Sequence, residues 1–165
     1  MIKTRQEIKV KLGTLSEKEL RLLLIELFNH LTFSEVIEYH GVNELGKDIV
    51  FWDKDKLQKK TWYACVVKAK DVNQSSFDDI ARQINECFRK KYPSHSSGNV
   101  NIDEVLVITS GIYKDNAKSQ IAEMITDNKT VHRVQYWDVG DIAERIENTL
   151  IIDILFNKKS FIQNL

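Results

Sequence analysis

The stretch Gly41-Val-Asn-Glu-Leu-Gly-Lys-Asp-Ile-Val-Phe-Trp52, then a Lys-rich segment, then Trp62-Tyr-Ala-Cys-Val-Val-Lys-Ala-Lys-Asp71, decides how this chain reads. Asp48 to Trp52 and Thr61 to Ala69 are rich in Ile, Val, Phe, Trp and Tyr, while the segment between them is polar and charged. β-Branched and aromatic runs flanking a polar turn predict a hairpin. Side chains alternate across a strand, so Asp48, Val50 and Trp52 share one face of the first strand, and Val66, Lys68 and Lys70 share one face of the second. An acid and a lysine can then meet across the pair, a pairing able to hold a metal ion and a phosphate.

Working outward, Ser16 and Glu19 form a capping-box pattern. Leu20, Leu24, Phe28 and Leu31 follow at helical spacing, predicting a buried helix. The basic residues before it read as either a short lead-in helix or an arm, so the expected division is an arm over 1–14 and a single domain over 15–165. Thr32 to His40 predicts a first strand. Beyond the hairpin, Phe77, Ile80, Ile84 and Phe88 mark an amphipathic helix, and Pro93 to Asn101 reads as a loop. Val105 to Thr109 is a continuous apolar run suited to a strand buried on both faces. Ser110-Gly111 turns the chain into a helix with Ala117, Ile121, Met124 and Ile125 on one side. Val131 to Trp137 predicts another strand, and Asp138 caps a helix carrying Ile142, Ile146 and Leu150. The fold expected is α/β: a mixed central β-sheet in the order α-βββ-α-β-α-β-α, with helices on both faces.

Composition narrows the function classes. In 165 residues, 42% hydrophobic and 29% charged residues are ordinary for a soluble globular chain. The Leu-rich run from Leu20 to Leu31 is too short and polar to cross a bilayer, and Met1 begins nothing like a signal peptide, so the expectation is no membrane and a cytoplasmic setting. The formal net charge of zero argues against a whole-molecule polyanion binder. Lysines nevertheless crowd the hairpin region, where Lys54 to Lys60 read as a solvated tip. Cys65 and Cys87 lack ligand spacing and read as reduced, buried thiols. No phosphate-cradling or serine-hydrolase motif is present.

The run Gly-x-x-Glu-x-Gly-Lys-Asp-Ile-Val, followed after a hairpin by an apolar strand ending in Lys, resembles the restriction-endonuclease-like PD-(D/E)XK fold, and within it the Mrr-like branch. Val105 to Gly111 with Ala117, and Val134 to Ile142, resemble later segments of that branch, so the resemblance spans Leu15 to Ile142. It implies a nuclease acting on DNA by phosphodiester hydrolysis with Mg²⁺ or Mn²⁺, with a homodimer left open. Asp48 then supplies one metal ligand, Val67 its backbone carbonyl, and Lys68 the catalytic lysine. Gln83 matches a glutamine that braces the site, and Lys47 and Lys70 would contact the nucleic acid.

Two positions depart from the pattern. Val66 stands where the family carries Glu or Gln, and Arg21 stands where it often carries a metal-organising Glu. Glu44 is the leading substitute for the lost carboxylate, with Glu19 and Glu26 as others. A rival reading therefore accompanies the nuclease: the same fold, catalytically inactive, as a nucleic-acid-binding or sensing module of a defence or regulatory protein, standing at the front of a longer chain.

Overall fold

The strand β3 (Lys60–Lys68) lies at the centre of a five-stranded mixed sheet. The computed structural model describes residues 2–39, 48–126 and 129–157. Before β3 come β1 (Ser34–Glu38) and β2 (Ile49–Lys54), an antiparallel meander with it. On its other side it pairs in parallel with β6 (Glu104–Thr109), which pairs in parallel with β7 (Val134–Trp137). The sheet order is β1-β2-β3-β6-β7. Parallel neighbours need crossovers, and these run through α3 (Phe77–Arg89) between β3 and β6 and α4 (Ala117–Glu123) between β6 and β7.

Alternation along β3 divides the core. Cys65 and Val67 join one buried cluster with Leu20, Leu24, Phe28, Phe51 and Ile108. Ala64 and Val66 join a second, with Val50, Val107, Ile80 and Ile84. To the first cluster belong residues of α1 (Arg5–Leu12), α2 (Glu17–His30), α5 (Val139–Ile146) and α6 (Ile151–Phe156); α3 and α4 contribute to the second. Full burial of a Val, Leu or Ile is worth about 1.5–3 kcal/mol, which makes β3, buried from Ala64 through Val67, and β6, buried from Val105 through Thr109, costly strands to disturb.

Helix starts follow their caps. Thr4, Ser16 and Asp138 each accept from a backbone N–H in the first turn, and Glu7, Glu19 and Asp141 return the bond to the cap backbone. Of the two readings of the first residues, the helix is the one found, with Ile8 and Leu12 fully buried.

Three details differ from the sequence expectation. The stretch read as a loop after Pro93 holds a small antiparallel pair, β4 (Tyr92–Ser94) with β5 (Gly98–Val100). The strand expected from Val131 opens as a 3-10 turn, Val131–Arg133, and becomes extended only at Val134. Leu150 is 75% exposed, because α5 has ended at Ile146 before the periodicity reaches it.

Gly111 positions the end of the sheet. A Cβ there would collide with the Asp71 backbone nitrogen, so only glycine lets the segment after β6 pass the segment after β3. Thr109 Oγ1 donates to the Lys70 carbonyl, and the Lys70 N–H donates to Ser110 Oγ at 3.0 Å.

Candidate functional site

The start of β2, the end of β3 and the neighbouring turns of α2 and α3 enclose the candidate site. Asp48 stands immediately before β2 and is fixed through its backbone: its N–H donates to the Cys65 carbonyl at 3.0 Å, and its carbonyl accepts from the Tyr39 N–H at 2.7 Å. Its side chain is buried, and Oδ2 accepts from the Val67 N–H at 2.7 Å. Oδ1 lies 3.9 Å from Arg21 Nη1.

Arg21 gathers acids from three elements. Its Nη1 is 3.2 Å from Glu17 Oε1, one helical turn earlier on α2, and its Nε donates to Glu38 Oε1 of β1 at 3.1 Å. Glu38 sits opposite Ile49, beyond a register shift in β1 between Ser34 and Ile37. Burial is the largest influence on Asp48 and pushes its pKa up to about 6. The Val67 N–H, Arg21 and Lys68 favour the charged form and Glu17 opposes it; together they do not overcome desolvation.

Lys68 forms a separate network. Its Nζ donates to Asp79 Oδ2 at 2.9 Å, and Gln83 Nε2 donates to the same oxygen at 2.8 Å. Arg82 Nη2 donates to Asp79 Oδ1 at 2.7 Å. Burial would raise the Asp79 pKa, but the bonds from Arg82 and Lys68 prevail and hold it below the ordinary carboxylate value. Gln83 is thus turned toward the lysine's partner.

Of the residues singled out in the sequence, Asp48 and Val67 are joined by a hydrogen bond at the strand ends, while Lys68, next in β3, turns to Asp79, which Gln83 also binds. Glu44 and Lys47 lie outside the described residues. Glu19 is engaged in the α2 capping box, and Glu26 is exposed. Lys70, at positive φ just past β3, is exposed, and among the described residues no carboxylate pairs with it. Asp79 was missed; its signal was available, four residues before Gln83 on one helix face. The acids gathered by Arg21 were missed as well, and the partner on β1 depends on a register that no local pattern announces.

A divalent ion of the Mg²⁺ kind needs oxygens in octahedral array, with one or two carboxylates among them. Asp48 offers one oxygen already bonded to an N–H and another facing a guanidinium. Val66, fully buried, offers none. Among the described residues, no group of three or more His, Cys, Asp or Glu side chains could hold a metal ion. These residues do not fit a divalent cation.

No protein-family model and no curated protein sequence matches the chain. Among solved structures, the MspJI restriction endonuclease in complex with a 27-mer oligonucleotide is similar over 84% of this chain, at 16% identity and a TM-score of 0.47. The chain spans 30% of that protein's length. Among the described residues, no helix is long and apolar enough to cross a membrane.

Proposed function

We propose that the chain is a restriction-endonuclease-like domain that engages DNA without cutting it, an inactive counterpart of a Mg²⁺-dependent nuclease. The motif layout around Asp48 and Lys68 supports the fold reading. The observation that carries the loss of activity is Val66: the position that should bring a carboxylate or amide to Asp48 is a fully buried valine in the core with Val50, Ile80 and Ile84. Hydrolysis of a phosphodiester needs a metal to generate hydroxide and to take up developing charge, and one hydrogen-bonded carboxylate does not assemble that centre. Lys68, hydrogen-bonded to Asp79, is likewise committed elsewhere.

DNA contact falls to the lysines at this end of the sheet. Lys70 lies beyond Lys68 and is exposed to solvent, and Lys47 is next to Asp48 in the chain. A phosphate contact by either contributes to binding through counterion release and needs no divalent ion.

The test is a DNA-binding titration in EDTA and in Mg²⁺, beside a cleavage assay with Mg²⁺ and Mn²⁺. Binding of equal strength in both solutions, with DNA left intact, is expected. Cleavage that disappears in Asp48→Ala would overturn the inactive reading and restore the nuclease.

A further inference from the structure

The hairpin tip, read from the sequence as a solvated lysine run, sorts its charges by face. Along β2 and β3, side-chain alternation puts Trp52, Lys54, Lys60 and Trp62 on one face and Phe51, Asp53 and Tyr63 on the other. Lys54 stands directly opposite Lys60 in the antiparallel register, a placement in which like charges destabilise a strand pair. Both ammonium groups lie over the Trp52 ring, Lys60 Nζ at 4.1 Å and Lys54 Nζ at 5.9 Å from its centroid. An aromatic face attracts cations and holds them in place, but it carries no net charge to cancel them. Lys60 Nζ also donates to Ser97 Oγ at 3.2 Å, a neutral acceptor. Among the described residues, no carboxylate forms an ion pair with Lys54, Lys56, Lys59 or Lys60. Acids of the same region are engaged otherwise: Asp55 Oδ1 accepts from the Leu57 and Lys59 N–H groups, and Glu35 of β1 accepts from Ser94 Oγ.

We propose that this face of the β2–β3 hairpin is a nucleic-acid contact, in which Lys54 and Lys60 grip one backbone phosphate between them. A phosphate placed between two opposed ammonium groups removes their repulsion, and its neutralisation releases a condensed counterion. The tip is exposed, and four lysines within the seven residues from Lys54 to Lys60 suit an extended polyanion better than a single small anion. A membrane surface suits it less, because Leu57 is the one large apolar side chain exposed among these lysines, and anchoring to lipid takes a broad apolar face. At about 3.3 Å per residue, the nine residues of β3 set Lys60 roughly 27 Å from Lys68. The hairpin is therefore a second contact, at the opposite end of the sheet from Lys70. The inference rests on the proposed function for the ligand being a nucleic acid; the site itself stands on the hairpin geometry.

The experiment is fluorescence anisotropy of the full chain with a labelled DNA duplex and a labelled single-stranded RNA, each titrated from low to moderate salt, with thermal melting of every variant beside it. Lys54→Gln/Lys60→Gln is expected to bind more weakly than the parent and to reduce the slope of log affinity against log salt by about 1 on duplex DNA. Lysines that serve only to pack on Trp52 would lower the melting temperature of the variant and leave that slope unchanged, and an unchanged slope overturns the proposal. If the double variant does not fold, Lys54→Glu decides, since it sets an acid opposite Lys60 and keeps the strand pair by attraction. The same loss of slope supports the proposal, and the parent's slope overturns it. Lys70→Ala, measured in parallel, separates the two readings. A loss in the hairpin variant with none in Lys70→Ala removes the contact proposed beside Asp48 and leaves this inference standing, and a loss in Lys70→Ala alone does the reverse. RNA binding that depends on the lysine pair, with no binding of DNA, likewise ends the DNA reading and upholds the hairpin. Binding of neither nucleic acid, or retention by phosphatidylserine vesicles alone, overturns it.

Discussion

Replacing Asp48 with asparagine isolates the cost of a buried charge. Asp48 has an ordinary pKa of 3.8, raised here to about 6, chiefly by burial. Below pH 3.8 the carboxyl is protonated in folded and unfolded chains alike, and costs nothing. Between 3.8 and about 6 the unfolded chain releases the proton that the folded chain retains, so stability falls as pH rises. Above about 6 both forms are ionised and the penalty is complete. At about 1.4 kcal/mol per tenfold change in acidity, that penalty is on the order of 3 kcal/mol. Arg21 and Lys68 on one side and Glu17 on the other are already included in the balance. The asparagine side chain of Asp48→Asn would not titrate, and its amide oxygen can keep the bond from the Val67 N–H. Asp48→Asn is therefore expected to be more stable than the parent by about 2–3 kcal/mol at pH 8, a melting rise of about 4–12 °C in a chain of this size. The advantage should shrink toward zero by pH 4. Denaturant melts of both proteins from pH 4 to pH 8 measure it, and other titrating groups cancel in the difference. A variant less stable than the parent at pH 8 would mean that Arg21 more than compensates for burial. A difference that stays constant with pH would mean that Asp48 does not titrate in this range.

Val66→Glu places a carboxyl in the fully buried cluster around Val50 and Ile80, and should cost on the order of 3 kcal/mol or more in urea unfolding. With Arg21 in place, added Mg²⁺ should not restore it; a metal-dependent recovery would show that a divalent site can form beside the guanidinium. Lys70→Ala should weaken DNA binding equally for all sequences and reduce the slope of log affinity against log salt by about 1, measured by anisotropy between low and moderate salt. An unchanged slope would move the contact to another surface.

The sheet was legible because its central strands are uninterrupted. Val105 to Thr109 and Thr61 to Ala69 are apolar runs whose residues face a core on each side, and the two-residue period correctly put Val50 with Val66 in one cluster. Where a short pair buries only one large side chain, the pattern carries little message. Tyr92–Ser94 and Gly98–Val100 pair with Tyr92 alone fully buried, while Pro93, Gly98 and Asn99 are exposed, so the stretch reads as a loop. Leu150 shows the opposite failure, a hydrophobic residue in phase with a helix that has already stopped. Phase says which face a residue would take, and only the cap and the turn say whether the helix reaches it.

For the candidate site the sequence names residues but not their pairings, and the reason is the same. Period two places Asp48 and Lys68 on one face, yet the hydrogen bond of Lys68 goes to Asp79, because the first turn of α3 overhangs the end of β3 and brings that acid within 2.9 Å. Asp48 is turned the other way by the Val67 N–H and faces α2. The sheet end thus separates the acid from the lysine and gives each a counter-ion of opposite sign, Arg21 for Asp48 and Asp79 for Lys68. A nuclease centre needs the reverse, an acid left free for metal and a lysine left free for the reacting phosphate. In this chain both charges are already answered from within, which is why the departure at Arg21 weighs as much as the departure at Val66. Under the proposed inactive reading, the valine leaves Asp48 without a second oxygen beside it, and the guanidinium faces the one that remains.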